Sequence, residues 1–388
     1  MAEAVRQRVV DFLESKRAEM KALLIRLIRA ESPSNEASLQ AEVLEILSEA
    51  FQERGFRPRR VRGKTSGGML LALPADRPRH RPYQLVVGHC DTVWPKGTLT
   101  SMPIREESGK LWGPGAYDTK GGLVQGLFAL DALQAVGLSV LPVTPVFFIN
   151  SDEEIGSDDS TPLLRRLARG ADRCFVVEPS LGPEGNLKTA RKGRGEYTVR
   201  IRGKAAHAGL DPDKGASAIL ELSHVIQKLF ALNDEARGVT VNVGLVAGGV
   251  RPNVIAPEGT AVVEVRAFTA EDAIQVERAI HRLQPTTPGT SIAVESGVRR
   301  PPMERTPRNR QLWKLAQQAA QEFGIELRQS TAGGASDGNT TSQFTATLDG
   351  LGAVGGGAHA AEEHLILEKM VERAALLASL LSSPPLGE

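Results

Sequence analysis

The sequence predicts an α/β fold interrupted by a second, α+β domain, and three observations support this prediction. Three short apolar runs, Leu85–Gly88, Val146–Ile149 and Phe175–Val177, each end in a polar cluster. Continuous apolar runs bounded by turn residues are typical of buried, mostly parallel strands. Helical patterns flank these runs, and the order of elements changes between about residues 190 and 300. We therefore expect a mixed, mostly parallel sheet between helices, with another unit inserted into it.

Apolar residues at helical spacing predict the helices of the first domain over Ala4–Arg29, Glu36–Arg54, Thr119–Val136, Asn309–Phe323 and Leu365–Leu381. Two extended stretches, Phe56–Arg62 and Gly68–Leu73, lie between the second and third of these helices. Because the last two helical patterns follow the inserted unit, residues 1–189 and 301–388 are expected to form one domain.

The inserted domain is expected over residues 190–300. Its elements are predicted in the order strand Glu196–Gly203, helix Gly215–Leu232, strand Thr240–Leu245, strand Gly259–Phe268, helix Ala270–Leu283 and strand Ser291–Val298. This is the order of a split βαβ, ferredoxin-like unit.

Acids and an imidazole follow the apolar runs. They are His89 and Asp91 after the first run, Asp152, Glu153 and Glu154 after the second, and Glu178 after the third. A glycine-rich loop, Trp112–Asp118, adds another carboxylate before a predicted helix. Ligands of open α/β sheets bind beyond the carboxyl ends of the strands, so these side chains are expected to converge there.

Such convergence is costly without a cation, because buried carboxylates repel one another and resist desolvation. Imidazole and carboxylate together suit zinc, or less often manganese or cobalt. The sequence therefore predicts a metal site, with zinc as the first choice.

Composition narrows the class of protein. A net charge of +1 over 388 residues argues against nucleic acid as the main partner. No apolar segment approaches a membrane-spanning length, and Met1–Arg26 is a charged helical pattern rather than a signal peptide. The only cysteines, Cys90 and Cys174, end separate apolar runs, which fits a reducing compartment. We expect a cytoplasmic protein without a membrane partner.

Six motifs, in order along nearly the whole chain, resemble those of one family of zinc peptidases. They are GHCDTV around His89, GPGAYDTKGG around Asp118, SDEEIGS around Glu153, VVEPS around Glu178, GKAAHAG around His207 and GGGAHAAEE around His359. The family includes bacterial G-type glutamate carboxypeptidase, the aminoacylases, acetylornithine deacetylase and succinyl-diaminopimelate desuccinylase. The RKGRGEYTV segment most resembles the glutamate carboxypeptidase branch.

The resemblance implies a zinc-peptidase catalytic domain that holds two zinc ions per subunit, with cobalt or manganese as substitutes. Asp118 would bridge the ions, His89 and Glu178 would complete one site, and Glu154 and His359 the other.

The resemblance also implies roles for two further acids. Asp91 would accept a hydrogen bond from His89 and fix its tautomer. Glu153 would be the general base that takes a proton from the attacking water and returns it to the leaving amine. If the chain stays extended after Phe148, neighbouring side chains diverge, so Glu153 can face the substrate while Glu154 binds metal.

The inserted domain would serve as a lid and form the contact of a homodimer. By resemblance, His207 would stabilise the oxyanion in the partner subunit's site, with Asn253 near it, and Arg266 would bind the free carboxylate of the substrate.

Structural alternatives remain for single residues. His89 and His359 could be hydrogen-bonded core or loop histidines, and any one acid could be a helix cap or a solvated charge. His207 could be an exposed turn residue, Asn253 a turn former, and Arg266 an outward-facing sheet residue.

The sequence predicts no single role for two further sets of residues. Lys120 could hold a substrate acid or be a solvated residue of the first helical turn. Ser336, Asp337 and Asn339 could line a substrate pocket or simply form a polar loop. The other histidines, His80, His224, His281 and His364, are expected at the surface or in packing contacts.

The leading hypothesis is a di-zinc metallohydrolase that cleaves the amide bond of a small peptide or N-acyl amino acid with a free C-terminal carboxylate, as a glutamate carboxypeptidase does. An aminoacylase or deacylase with the same metals is the enzymatic alternative. A non-catalytic metal-binding scaffold is the alternative from another class.

Overall fold

The computed structural model describes residues 1–77, 81–295 and 297–387, which fold into two compact units. The first unit comprises Met1–Thr189, Arg305–Thr331 and Ser336–Glu388. The second comprises Ala190–Glu304 and Ala332–Ala335. The second unit is thus inserted in the chain of the first.

The described residues form helices and strands over most of their length. The helices are α1 (Glu3–Ser15), α2 (Arg17–Arg29), α3 (Gln40–Glu53), α4 (Gly121–Ala135), α5 (Thr161–Ala168), α6 (Ala218–Phe230), α7 (Ala270–His281), α8 (Pro307–Glu322), α9 (Asp337–Thr341) and α10 (Leu367–Ser382). The strands are β1 (Phe56–Val61), β2 (Met69–Pro74), β3 (Tyr83–His89), β4 (Arg105–Glu107), β5 (Lys110–Trp112), β6 (Thr144–Asn150), β7 (Arg173–Val176), β8 (Leu187–Arg191), β9 (Gly193–Arg202), β10 (Thr240–Gly248), β11 (Glu258–Ala267), β12 (Ser291–Glu295), β13 (Val298–Arg300), β14 (Gln329–Ala332), β15 (Ala346–Leu348), β16 (Gly355–Gly356) and β17 (His364–Ile366). Among these helices, none is both long and apolar enough to cross a membrane.

The first unit contains a six-stranded sheet in the order β1-β2-β6-β3-β7-β15. Strand β3 runs parallel to both β6 and β7, and β15 runs parallel to β7, whereas β1 and β2 are antiparallel to their neighbours. The register pairs His89 with Asn150 and Val87 with Val176. The three predicted strands are therefore neighbours whose carboxyl ends lie at one edge, which confirms the mixed, mostly parallel sheet.

Helices cover both faces of this sheet. Val86, Phe147 and Phe175 belong to the large core that also includes α1 to α4, α8 and α10. Val87 and Phe148 belong to a smaller core with α5 on the other face. Successive side chains of a strand point to opposite faces, so a strand covered on both sides must be apolar throughout. This explains the continuous apolar runs of the sequence.

The predicted helix Ala4–Arg29 is two helices, α1 and α2, that meet at Lys16. Lys16 has φ −98° and ψ 4°, outside the helical range. The buried residues Leu13 and Met20 stand seven positions apart, so the helical spacing continues across the break. A pattern of spacing alone cannot reveal such a break.

Helix α4 begins later than the sequence predicts, at Gly121 rather than Thr119. Asp118 and Thr119 have non-helical dihedral angles, and the peptide bond between them is cis. The Oγ1 of Thr119 donates a hydrogen bond to Val177 O at 2.6 Å. This contact holds the backbone before α4 against the end of strand β7.

The second unit has the order of elements that the sequence predicts. Its sheet runs β10-β11-β9-β12 with antiparallel pairing throughout, and β13 also pairs with β9. Helices α6 and α7 pack on the sheet through a separate core that includes Tyr197, Leu222 and Val276. Of the last predicted strand, Ser291–Glu295 form β12, and Ser296 lies outside the described residues. The α/β fold with an inserted ferredoxin-like α+β unit is confirmed.

Candidate metal centre

His89 ends strand β3 and is 1% exposed. Its Nε2 lies 3.1 Å from Asp118 Oδ1 and 3.3 Å from Glu178 Oε1. Its Nδ1 lies 3.0 Å from the backbone O of Asp91 and 3.4 Å from Oδ1 of the same residue. A proton on Nδ1 can be donated to Asp91, which leaves Nε2 as a ligand atom facing two carboxylates.

The fully buried Asp91 also contacts the segment that carries the two predicted glutamates. Its Oδ1 accepts a hydrogen bond from Glu153 N at 3.2 Å, and its Oδ2 accepts one from Glu154 N at 3.2 Å. The Oγ of Ser34 donates to Oδ2 at 2.8 Å. Asp91 therefore connects the end of strand β3 to the loop after strand β6.

Asp118 lies between two imidazoles. Its Oδ1 is 3.1 Å from His89 Nε2, and its Oδ2 is 3.5 Å from His359 Nε2. The two oxygens of a single carboxylate thus face different histidines. Asp118 could therefore take part in binding a cation together with either imidazole.

Glu153 and Glu154 lie in a turn, not in an extended segment, so the condition stated for the divergence of their side chains is not met. Hydrogen bonds from Gly156 N to Glu153 O at 3.0 Å and from Ser157 N to Asp152 O at 2.7 Å close this turn. The two glutamates nevertheless join different groups. Possible ligand atoms of His89, Asp118 and Glu154 all lie within 4.8 Å of one another, and so do those of His89, Glu153 and Glu178.

Glu178 and His359 reach the same place from different loops. Glu178 follows strand β7 by two residues and is 7% exposed. His359 lies in the loop between β16 and β17, with φ 61° and a side chain that is 52% exposed. Its Nε2 is 3.0 Å from Glu154 Oε2. Positive φ is uncommon for a residue with a side chain and is found mainly where the surroundings impose it.

The pKa shifts describe a site that attracts cations. Burial disfavours the charged imidazole of His89, but hydrogen bonds with Asp118, Asp91 and Glu178 raise its pKa well above the usual value. The hydrogen bond with Glu154 raises the pKa of His359 to about 9. The carboxylates around both imidazoles therefore favour the protonated, cationic form of each ring.

The donor atoms at this position fit a divalent metal. Imidazole nitrogens and carboxylate oxygens are among the usual ligands of zinc. Burial raises the pKa of Glu154, with a further contribution from the charge of Asp118, so a cation in place of the protons would relieve this repulsion.

Glu363 is a contributor that the sequence did not single out. It is 1% exposed, and its carboxylate accepts hydrogen bonds from the backbone N–H of Gly115, Tyr117 and Asp118, each at 3.0 Å. Burial raises the pKa of Glu363, and the amide hydrogen bonds oppose this shift. The GGGAHAAEE motif has two adjacent glutamates, and no sequence signal separates the exposed Glu362 from the buried Glu363.

Both alternatives for Lys120, a substrate contact or a solvated residue, are wrong. Lys120 is 1% exposed, and its Nζ donates to Leu27 O at 2.9 Å and Ala30 O at 3.0 Å. Burial lowers the pKa of Lys120 to about 8. The side chain satisfies carbonyls at the end of helix α2, where a cation is also favoured by the helix dipole.

Ser336, Asp337 and Asn339 do not line an open pocket, because all three are buried. Ser336 and Asn339 form a capping box at the start of helix α9. Asp337 accepts hydrogen bonds from Asn150 Nδ2 and Ser157 Oγ, both at 2.7 Å. These residues stabilise the loop after strand β6 through buried hydrogen bonds.

His207, Asn253 and Arg266 lie in the second unit. Residues 206–208 pair with residues 253–255, so His207 and Asn253 are on adjacent backbone segments, and both are exposed. The Nε of Arg266 donates to Glu264 Oε1 at 2.8 Å, and its Nη1 donates to Gly333 O at 2.9 Å. Their roles at the metal centre stay predictions.

Two of the other histidines make ring contacts. His364 lies 5.4 Å from the ring of Trp112 and His281 lies 6.2 Å from that of Tyr197, between centroids. His224 is partly buried in helix α6, and His80 lies outside the described residues.

The sequence and the fold were compared with those of known proteins. A profile of peptidase family M20/M25/M40 matches residues 85–383. Carboxypeptidase G2 of a Pseudomonas species is 34% identical over 188 residues, which are 48% of this chain and 45% of the relative. Succinyl-diaminopimelate desuccinylase of Delftia acidovorans is 27% identical over 84% of this chain and 89% of its own. The crystal structure of aminopeptidase PepT from Bacillus cereus superposes with a TM-score of 0.76 at 23% identity, covering 94% of this chain and 98% of that one.

Proposed function

Since this chain belongs to peptidase family M20/M25/M40, an enzyme family of metallopeptidases and amidohydrolases, we propose that it is a di-zinc carboxypeptidase. Its proposed substrate is a small peptide or N-acyl amino acid with a free C-terminal carboxylate, glutamate being the preferred residue. The observation that carries this proposal is the placement of Asp118 between the imidazoles of His89 and His359.

The proposed ligands divide into two sets around Asp118. His89 and Glu178 would hold one ion, and Glu154 and His359 the other, with cobalt or manganese as substitutes. When bound, the metals would activate the attacking water and polarise the scissile carbonyl. Hydrogen bonds of 3.2 Å from Glu153 N and Glu154 N to Asp91 support a fixed position for the general base beside its neighbouring ligand.

Glu153 would take a proton from the attacking water and return it to the leaving amine. Its carboxylate is near His89 and Glu178, within the group whose ligand atoms lie inside 4.8 Å. A carboxylate this close to the proposed ligands can reach a water molecule beside the proposed metals.

His207 is proposed to stabilise the oxyanion. Its Nδ1 accepts hydrogen bonds from the N–H groups of Gly209 and Leu210, both at 3.1 Å. A ring nitrogen that accepts carries no proton, so neutral His207 is protonated on Nε2. An exposed Nε2–H is the donor that a developing oxyanion needs.

Arg266 is proposed to bind the substrate carboxylate, with Asn253 beside His207 as a second polar contact. The contacts of Arg266 with Glu264 and Gly333 fix the plane of its guanidinium group. A fixed guanidinium suits a carboxylate because it can donate two parallel hydrogen bonds.

A homodimer through the inserted unit is also proposed. Strand β10 lies at the edge of its sheet, and edge strands expose unpaired backbone groups. Large apolar residues on β10, the following turn and α6 are exposed, with Leu245 at 68%, Val250 at 72% and Ile219 at 47%. A solution mass of twice the 41.6 kDa of one chain would support the dimer, and a monomer at micromolar concentration would refute it.

The cytoplasm is the proposed compartment. The two cysteines, Cys90 and Cys174, are buried thiols that form no disulfide, as expected in a reducing environment. Cell fractionation would test this assignment.

An activity panel tests the main proposal. The protein is dialysed against a chelator, restored with zinc or cobalt, and assayed on aryl N-acyl-glutamates, on N-acetyl amino acids and on the same compounds with the α-carboxylate amidated. We expect hydrolysis of the N-acyl-glutamates that disappears with the metal, returns with it and requires the free carboxylate. No recoverable hydrolysis in any arm would refute the enzyme proposed here.

A deacylase is the second candidate, and the extent of the match to succinyl-diaminopimelate desuccinylase favours it, since 89% of that relative is covered. Faster hydrolysis of N-acetyl or N-succinyl amino acids than of aryl N-acyl-glutamates would select this function. The metal dependence would be the same in both cases.

A further inference from the structure

The carboxylate of Glu363 accepts four hydrogen bonds inside the first unit. Oε1 accepts from Tyr117 N and Asp118 N, both at 3.0 Å, and Oε2 accepts from Gly115 N at 3.0 Å and Trp94 Nε1 at 2.8 Å. Every donor is an N–H group, so both oxygens of the side chain act as acceptors. Glu363 is therefore not a further metal ligand.

These donors belong to segments that carry the proposed ligands. Gly115, Tyr117 and Asp118 form the turn before α4, and Trp94 follows Asp91 on the segment after strand β3. Glu363 itself stands four residues after His359, and its own N–H donates to Ala360 O at 3.0 Å. One side chain thus connects the loops of His89, Asp118 and His359.

The turn of Asp118 needs such a partner. Gly115 has φ 73° and Asp118 has non-helical angles, so the N–H groups of this stretch do not enter a regular helix. A buried N–H without an acceptor costs about 1–3 kcal/mol. The carboxylate of Glu363 satisfies three such groups and thereby fixes the direction in which the side chain of Asp118 leaves the backbone.

We propose that Glu363 is the positioning residue of the metal centre, which holds Asp118 between His89 and His359 through the backbone of the Gly115–Asp118 turn. This inference rests on the proposed metal site. It assigns Glu363 no contact with the substrate or the reacting atoms. Its loss should weaken metal binding while the fold is retained.

Glu363→Gln is the informative substitution, because it keeps the size of the side chain. The oxygen of the new side-chain amide can still accept hydrogen bonds from one pair of N–H groups. Its NH₂ group faces the other pair of N–H groups and cannot accept hydrogen bonds from them. Part of the cluster therefore loses its acceptor, and the turn of Asp118 is expected to shift.

Glu221→Gln serves as the matched control. Glu221 is 0% exposed in the second unit, and its Oε2 accepts hydrogen bonds from Thr286 N at 2.9 Å and Thr287 N at 2.6 Å. The control therefore loses a buried carboxylate that also accepts backbone amides, but one that does not contact a proposed ligand segment.

Zinc affinity is measured for both variants and the unmodified protein by competition with a chromophoric chelator. The absorption spectrum of the cobalt-loaded proteins and the thermal midpoint of the metal-free proteins are recorded as well. We expect Glu363→Gln to bind zinc about 10–100-fold more weakly, the range typical for loss of a group that orients a ligand, and to change the cobalt spectrum. Glu221→Gln should keep the zinc affinity within twofold.

A folded Glu363→Gln protein with the zinc affinity and cobalt spectrum of the original would overturn the inference. If this variant does not fold, Trp94→Phe decides, because it removes a single donor to the same carboxylate. A several-fold loss of zinc affinity in Trp94→Phe would support the inference, and unchanged affinity would overturn it. An unmodified protein that binds no zinc would instead refute the proposed function.

Discussion

The two imidazoles of the metal centre are held in different ways. His89 ends a central strand, is 1% exposed and faces Asp118 and Glu178 through the same nitrogen. His359 lies in a loop, has a positive φ and is 52% exposed, with Glu154 as its nearest carboxylate. The centre therefore has a half built into the sheet, around His89, and a half carried by a loop, around His359.

This difference suggests that one imidazole is held rigidly while the other lies where a ligand can reach it. A side chain on a paired central strand moves only with the sheet, whereas a half-exposed loop residue can adjust to a ligand. We expect the half around His89 to fix the position of the metal centre and the half around His359 to admit metal and substrate. Four experiments can refine or refute this comparison.

The largest effect is expected from Glu153→Gln, which alters the half around His89. Removal of the proposed general base should lower turnover about 10²–10⁴-fold while zinc binding is retained. Turnover and zinc content are measured on the same preparation, with Glu362→Gln, an exposed neighbour of Glu363, as the control. Near-normal turnover of Glu153→Gln would remove Glu153 from this role.

An intermediate effect is expected from comparing His89→Ala with His359→Ala in the metal-free protein. His89 is a buried partner of carboxylates, and removal of one partner from a buried pair costs about 3–5 kcal/mol. His359 is half exposed, and its ion pair with Glu154 should contribute about 1 kcal/mol or less. Denaturant unfolding with chelator present measures both changes, and equal destabilisation would contradict the proposed difference between the halves.

The smallest effect is expected for the number of protons released when zinc binds. The hydrogen bond with Glu154 raises the pKa of His359 to about 9, so we expect this imidazole to be largely protonated at pH 7 without metal, and the pKa of His89 is shifted in the same direction. Zinc binds neutral imidazole, so binding at pH 7 should release protons, and zinc affinity should rise as the pH approaches 9. Calorimetry in two buffers of different ionisation enthalpy measures this release, which should be smaller in His359→Ala.

The same shifts have a defined sign for the stability of the metal-free fold. A group whose pKa is higher in the folded than in the unfolded protein stabilises the fold at pH values below its unfolded-state pKa. For histidine this unfolded-state pKa is near 6.5. This contribution is lost as the pH rises through the folded value, about 9 for His359. His359→Ala should lack this loss, so an equal pH dependence of metal-free stability in the variant and the unmodified protein would contradict protonation of His359.

The residues at the ends of the strands could be predicted because local sequence carries their signal. Apolar runs locate β3, β6 and β7, and the acids and imidazole that follow each run must lie at one edge when these strands are parallel. The inserted unit was predictable for a similar reason, since alternation and helical spacing distinguish β9 to β12 from α6 and α7.

The errors concern residues whose environment depends on distant partners. Lys120 resembles a solvated residue, yet it is buried because the carbonyls of Leu27 and Ala30 lie beside it. Ser336 resembles a pocket residue, yet its Oγ donates to the buried Asp349. The contact partners lie outside the local sequence of each residue, so a local sequence pattern does not predict them.

The sequence by itself determined the kind of chemistry, because the identity and order of the acids and imidazoles after apolar runs are local properties of the chain. Only the tertiary structure decided how they are held: that His89 is enclosed and His359 exposed, and that Glu363, 245 residues from Asp118, accepts its amide hydrogen bond. Hydrogen bonds and burial depend on distances in space, and residues so far apart in the chain acquire those distances only on folding.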